Sequence, residues 1–269
     1  MRVFYILQQM EYSIMHLQSI NRLQAFAGHL IASICIAALL ALVVFSVWYP
    51  GALAYASGVV DIFLLLLFVD VVLGPTFTLI VFNPQKKELK RDLMIIVAIQ
   101  LIALLYGMHT MFVTRPAYLV FNAKGFDLVY ANEISPKNLA NAEHSKYKSL
   151  PYFGPEVIGA ILPNDPVIAK EIMTSAAFGG EDVQNMPRYY TPYENLKQSV
   201  QRNILPLKEL QELNQDRTQE IQMLVDKYST IDGNVGYLPV TAKAHNVIAI
   251  LNRKTAEILE ISDLRPAGR

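Results

Sequence analysis

Three long apolar runs in the first 114 residues constrain the fold of this chain more than any other feature of its sequence. The runs are Phe26–Trp48, Ile62–Phe82 and Leu93–Val113, and within them the only formally charged side chain is Asp70. A helix needs about 20 apolar residues to cross the hydrocarbon core of a bilayer, so three runs this close together favour membrane spans over buried helices of a soluble protein. The sequence predicts a tail at residues 1–21 and a transmembrane region at 22–114, with spans at about 26–48, 60–82 and 93–113.

The basic residues predict the orientation of these spans. The 49–60 loop contains no Lys or Arg, whereas the 83–92 loop contains Lys86, Lys87, Lys90 and Arg91. Cytoplasmic loops carry an excess of Lys and Arg. We therefore expect a multi-pass protein of the bacterial inner membrane, with the N-terminus and the 83–92 loop in the cytoplasm. Residues 115–269 then form a periplasmic domain.

The first apolar run leaves one alternative open. Ala52-Leu53-Ala54 has the small-residue pattern of a signal-peptide cleavage site. The run before it is longer than a usual signal-peptide core, which favours an uncleaved anchor.

The remainder of the chain has an ordinary soluble composition. Residues 115–269 carry 17 basic and 18 acidic side chains. Segments 117–122 and 126–131 predict a hairpin, with Gly125 in a left-handed turn position, and segments 246–251 and 256–261 predict a second hairpin. Helices are expected between the hairpins, so the fold class is three transmembrane helices followed by an exported α+β domain.

Three finer expectations concern the elements between the two hairpins, which should share one sheet. Segment 236–243 predicts a further strand, which Pro239 would push toward a sheet edge. Asp165-Pro166 predicts the start of a helix at about 167–178. Two more helices are expected, from Pro192 to about Leu205 and from Pro206 onward.

The sequence shows no motif for catalysis or cofactor binding. It contains no zinc-protease helix pattern, no nucleophile elbow and no glycine-rich phosphate loop. The 23 basic and 23 acidic residues balance, which gives no indication of a nucleic-acid partner. We therefore expect no enzyme activity, no cofactor and no metal site.

Asp70 is the candidate functional residue within the spans. At about 1.5 Å per residue it lies about 18 Å from the inner surface, at a depth close to those of Ser33, Gln100 and Tyr106. Gly74 and Pro75 follow, and because Pro75 lacks an N–H, the carbonyl of Val71 would lose its helical partner. Asp70 could hold the helices together, dock a partner or move an ion, and a carboxylate at this depth is a functional hypothesis by default.

A second candidate lies in the exported domain. Arg188, Tyr189 and Tyr190 form a basic aromatic segment. Tyr and Arg are enriched at protein interfaces, so the segment could bind a partner. It could also form the edge of the domain core, which is the interpretation that we favour.

The sequence resembles the TfpX/TfpZ family of type IV pilin accessory proteins. The most specific piece is the run from Asp70 to Pro84, DVVLGPTFTLIVFNP, and short matches such as Arg188-Tyr189-Tyr190 follow. The resemblance covers about residues 22–265. It implies an inner-membrane protein that helps a cognate pilin become assembled into a pilus, and it brings no catalytic residues.

The sequence thus favours a non-enzymatic assembly factor whose partners are a type IV pilin, the pilus assembly machinery and the lipid bilayer. In this hypothesis the spans hold the membrane helix of the pilin, Asp70 faces a polar or cationic group on it, and the exported domain contacts the pilin head. The alternatives are a membrane enzyme that modifies pilin and a periplasmic sensor that works with a partner.

Overall fold

The computed structural model of the chain describes residues 21–228 and 235–266, so the predicted tail lies outside the described residues except for Asn21. Two compact units are present. One contains the described residues up to Val43 together with Asp61–Met111, and the other contains Val44–Val60 together with the described residues from Phe112 onward.

The described helices lie in both units. They are α1 (Arg22–Val43), α2 (Leu53–Ser57), α3 (Val59–Leu67), α4 (Gly74–Val81), α5 (Leu89–Val113), α6 (Pro136–Ala140), α7 (Pro166–Ala177), α8 (Lys197–Asn203), α9 (Lys208–Leu213) and α10 (Thr218–Lys227).

The three predicted membrane helices are confirmed. Helices long and apolar enough to span a bilayer extend over Arg22–Trp48, Val59–Val81 and Leu89–Val113, which we call the first, second and third spans. The first span ends in a π-helical turn at Val44–Trp48, and the second contains one at Phe68–Leu73. Large apolar side chains such as Leu65 and Ile102 are exposed on the spans, as expected for surfaces that face lipid.

The second unit is built on one mixed sheet, so the predicted α+β class is confirmed. The strands run in the order β4-β3-β1-β2-β6-β7-β8, with β5 paired to β6. Two antiparallel hairpins, β1–β2 and β7–β8, lie in this sheet as expected. The described strands are β1 (Pro116–Asn122), β2 (Gly125–Tyr130), β3 (Glu156–Ala160), β4 (Tyr190–Pro192), β5 (Leu205–Pro206), β6 (Val235–Thr241), β7 (Val247–Asn252) and β8 (Ile258–Ser262).

Both faces of the sheet are buried. Leu119 and Phe121 of β1 point into one apolar cluster, and Tyr118 and Val120 point into another. A strand covered on both faces has a nearly continuous apolar sequence. This explains why residues 117–121 show no alternation of polar and apolar side chains.

The prediction that Pro239 places its strand at a sheet edge is wrong. β6 lies between β2 and β7. On one side, β5 pairs with residues 236–237 of β6 and β2 pairs with residues 240–241. Pro239 falls between these two pairings, where a missing N–H breaks neither of them.

The predicted turn chemistry of the first hairpin is also wrong. Gly125 pairs with Asn122 as the first residue of β2, and Ala123 takes the left-handed conformation with φ of 54°. A positive φ at the first turn residue is typical of a type II′ turn. The turn is therefore one residue shorter than the sequence suggested.

The helix predictions hold for α7 and are imprecise further on. The Asp165 side chain accepts hydrogen bonds from the N–H groups of Val167 and Ile168, which caps α7 as expected. Pro192 ends β4, and a 3₁₀ helix at Tyr193–Leu196 leads directly into α8, so the helix predicted from Pro192 to about Leu205 is present with a 3₁₀ first turn. The last predicted helix is split at Asn214, whose buried side chain bonds the backbone of Arg265 in both directions.

The connection between the first two spans forms part of the core of the sheet domain. Leu53 and Ala56 of α2 are buried in the cluster that contains Leu119 of β1. The carbonyl of Ala56 accepts hydrogen bonds from the N–H groups of Ala244 and His245, both at 3.2 Å. The predicted periplasmic loop is therefore a structural element of the domain.

We expect Leu53→Ala to destabilise the sheet domain by about 3 kcal/mol, because it leaves a cavity in a packed core. Pulse proteolysis of the full-length protein in detergent, at increasing urea, measures this change. Leu65→Ala is the matched control, since that side chain is 66% exposed on the second span. Equal effects of the two substitutions would contradict the assignment of the connection to the core.

Candidate functional site

Asp70 lies in the π-helical turn of the second span and is 7% exposed. The N–H of Gly74 donates to the carbonyl of Val69, five residues earlier, in place of the four-residue spacing of an α-helix. Such turns insert one residue into a helix and are frequent at functional sites. The inserted residue therefore changes which backbone carbonyl is left without an N–H donor from its own helix.

Gln100 of the third span supplies a donor to this turn. Its Nε2 donates to the backbone carbonyl of Asp70 at 3.1 Å. The sequence predicted that Pro75 leaves the carbonyl of Val71 unpaired, and this stays a prediction. With a five-residue spacing, the carbonyl opposite the missing N–H of Pro75 is that of Asp70, and this carbonyl receives the amide of Gln100.

Gly74 lets the side chain of Gln100 reach the turn. A Cβ on Gly74 would lie 1.9 Å from Nε2 of Gln100. No larger residue fits here unless the carboxamide moves away. Gly74 and Pro75 are both buried at the start of α4.

The predicted neighbours of Asp70 are only partly present. Ser33 and Gln100 line the same cavity as Asp70. Tyr106 is 73% exposed and does not line it, although its depth matches. His29 also lines the cavity, and its Nδ1 lies 2.7 Å from Oγ1 of Thr78, which links the first and second spans.

Two oxygen atoms of this cluster are buried without a hydrogen bond from the described residues. They are Oδ1 of Asp70 and Oε1 of Gln100. An unsatisfied buried polar atom costs about 1–3 kcal/mol, and more when it is charged. The cavity beside them has a volume of about 210 Å³. The three helices therefore retain unsatisfied polar atoms next to an open space.

The side chains of the second candidate segment, Arg188 to Tyr190, lie partly on the surface and partly in the core. Tyr190 is 3% exposed, packs in an apolar cluster and donates its hydroxyl to the carbonyl of Gln184. Arg188 is exposed and pairs with Glu143 at 3.6 Å, and its guanidinium lies 5.8 Å from the ring of Tyr189. Only the Arg188 and Tyr189 side chains reach the surface, so Tyr190 cannot contact a partner there.

Sequence reasoning missed the role of Arg115, the first residue of the predicted exported domain. The guanidinium is buried and donates to the carbonyls of Phe112 and Pro151, the shortest bond being 2.7 Å. It also lies 4.2 Å from the ring of Phe112. Burial lowers the pKa of Arg115, and the nearby Tyr152 and Tyr49 raise it. The only signal was a cation directly after an apolar run.

Aromatic residues lie beside Arg115 at the ends of the first and third spans. The rings of Trp48 and Phe112 are 5.3 Å apart, and the hydroxyl of Tyr49 lies 3.1 Å from Oγ1 of Thr114. Burial raises the pKa of Tyr49 to about 12, so its phenol stays neutral at physiological pH. Such amphipathic rings are typical of helix ends at a membrane surface.

Residues that could hold a metal ion do not cluster in the described chain. Within residues 21–228 and 235–266, no group of three His, Cys, Asp or Glu side chains lies close enough to bind one.

We expect Gly74→Ala to displace Gln100 and to remove its bond to the Asp70 carbonyl, at a cost of about 1 kcal/mol. Gln100→Leu should cost a similar amount, and the double variant should cost little more than either, because both lose the same bond. Thermal unfolding in lipid nanodiscs measures all three. Gly28→Ala is the matched control, as nothing lies within 4 Å of its added Cβ. Additive losses would show that Gly74 and Gln100 do not act together.

Comparison with known proteins identifies relatives for most of the chain. The family of the fimbrial assembly protein FimB matches residues 18–58. The fimbrial assembly protein of Dichelobacter nodosus serogroup I is 30% identical over 202 residues, which cover 74% of this chain and 78% of that protein. The serogroup E1 protein is 28% identical, over 80% of this chain and 84% of that protein.

A third relative matches a shorter region. The fimbrial assembly protein of Dichelobacter nodosus serogroups C1 and C2 is 37% identical over 116 residues, which cover 42% of this chain and 88% of that protein. No solved structure matches the chain. The extent and identity of the serogroup I match are sufficient to assign this chain to the family of fimbrial assembly proteins.

Proposed function

We propose that the protein is a non-enzymatic accessory factor for type IV pilus biogenesis, of the TfpX/TfpZ kind, that assists assembly of a cognate pilin at the inner membrane. Its relatives are named fimbrial assembly proteins, which supports a role in pilus assembly. The run from Asp70 to Pro84 supports the narrower assignment. The partners would be the pilin, other components of the pilus machinery and the bilayer itself.

The observation that carries this proposal is the joining of three membrane-competent helices to a mixed-sheet domain in one chain. A substrate with a membrane helix and an exported head could be held at both parts by such a protein. The four basic residues between Lys86 and Arg91 support an orientation with this loop in the cytoplasm and the sheet domain in the periplasm.

The third span offers surface to another membrane helix. Of its 25 residues only Leu89 and Met111 are buried. Apolar side chains such as Ile99 and Leu105 are exposed along it. Helices in lipid associate through close packing, so this surface could receive the membrane helix of a pilin.

The sheet domain also exposes apolar side chains that could contact a pilin head. Helix α7 buries only Ile172, while Val167 and Met173 are more than half exposed. Phe178, directly after α7, is 88% exposed. Exposed apolar residues in such numbers are typical of protein-binding surfaces.

Deletion of the gene should reduce surface pili, and the wild-type gene should restore them. A photo-crosslinking amino acid at Phe178 should capture the pilin in living cells, whereas the same amino acid at Lys124, in the exposed β1–β2 turn, should not. Mass spectrometry of the pilin should show no change on deletion.

Three results would contradict the proposal in different ways. Normal piliation after deletion would remove the assembly role. Equal capture from Phe178 and Lys124 would remove the proposed contact surface. A pilin mass that depends on the gene would favour the alternative of a modifying enzyme.

A further inference from the structure

The cavity beside Asp70 lies within the three-helix unit. The first span contributes His29 and Ser33, the third contributes Gln100, and Asp70 of the second span completes the polar lining. The remaining walls are apolar, with Ile36 and Leu104 among them. The volume of about 210 Å³ is enough for a small chemical group and too small for most organic ligands.

The polar atoms without partners in this cavity are both acceptors. Oδ1 of Asp70 and Oε1 of Gln100 are buried and receive no hydrogen bond from the described residues. The donor nitrogen of Gln100 is already used by the Asp70 carbonyl. The other polar groups that line the cavity are the Ser33 hydroxyl and the His29 ring. Asp70 is 7% exposed.

Neither Lys nor Arg lines this cavity, and its one basic side chain is His29, whose Nδ1 lies 2.7 Å from Oγ1 of Thr78. The three apolar runs contain no Lys or Arg. A carboxylate in a membrane is usually paired with another polar group, and its presence there marks a functional site. A primary ammonium has three N–H donors and one positive charge, so it would satisfy both acceptors and neutralise the carboxylate.

We propose that the cavity between the first and third spans binds a protonated amine carried on the membrane helix of a partner. This inference rests on the proposed function in taking that partner to be the pilin. Asp70 supplies the charge, Gln100 supplies the second acceptor, and the apolar walls receive the hydrocarbon stem that carries the amine. Gly74 contributes by allowing Gln100 to reach this position.

The chemistry can be tested without a pilin. The full-length protein is reconstituted in vesicles of phosphatidylethanolamine and phosphatidylglycerol with a leucine-rich helix of about 20 residues. One peptide carries a single central Lys, and the matched peptide carries norleucine there. Energy transfer between labelled protein and peptide should show association at least about tenfold tighter for the Lys peptide.

Two variants of the protein sharpen the test. Asp70→Asn should abolish the preference for Lys, because it keeps the shape and removes the charge. Asp61→Asn should leave the preference intact, as Asp61 is exposed at the start of the second span. Equal association of the two peptides with the wild-type protein would overturn the inference, as would a preference that survives Asp70→Asn.

A second measurement needs no variant, so it holds even if Asp70→Asn fails to fold. Dicyclohexylcarbodiimide reacts with carboxyl groups inside membranes, and labelling of Asp70 is read by mass spectrometry. The Lys peptide should protect Asp70, and the norleucine peptide should not. Equal labelling would overturn the inference.

These outcomes are separate from the test of the proposed function. A protein that restores pili, but shows neither the preference nor the protection, would remain an assembly factor without an amine site. Loss of piliation in Asp70→Asn, together with normal insertion and normal piliation in Asp61→Asn, would link the site to assembly.

Discussion

A backbone carbonyl inside hydrocarbon must receive a hydrogen bond from the protein, because no water is available there. This requirement organises the three-helix unit. The π-helical turn and Pro75 together leave the carbonyl of Asp70 without a helical donor, and Gln100 supplies one from another span. The same contact fixes the amide, so its oxygen points to a place where nothing donates to it. The bond that satisfies the backbone therefore leaves Oε1 of Gln100 unsatisfied, next to the unsatisfied Oδ1 of Asp70.

The sheet domain must supply apolar side chains to cover both faces of its sheet, since both faces are buried. One face takes Leu53 and Ala56 from the connection between the first two spans, together with Val200 of α8. The other face takes Ile172 of α7 and, in a separate cluster, Leu210 and Ile221 of α9 and α10. A connection that would otherwise be exposed therefore contributes apolar area to a folded core.

The sequence was sufficient for features that depend on length and periodicity. Apolar runs of known length predicted the spans, and strand patterns predicted both hairpins and their presence in one sheet. It was not sufficient for features that depend on register or rotation. Depth along a helix placed Tyr106 near Asp70, but depth does not give the direction in which a side chain points, and Tyr106 faces outward.

Register also explains the other differences. A one-residue insertion places the carbonyl of Asp70 opposite the missing N–H of Pro75, and no local sequence pattern indicates such an insertion. Pro239 is tolerated in a central strand because the pairings of β6 with β5 and with β2 end on either side of it. Both outcomes are decided by contacts between segments far apart in the sequence.

The burial of α2 in the sheet domain has a consequence for how the protein is made. Leu53 and Ala56 precede the second span in the chain, yet they complete a core whose strands begin at Pro116. During synthesis the apolar side chains of α2 stay uncovered until the C-terminal strands have been made. The domain therefore completes its core only after the second and third spans have been synthesised. A fragment that begins at residue 115 lacks the part of the core that Leu53 and Ala56 supply.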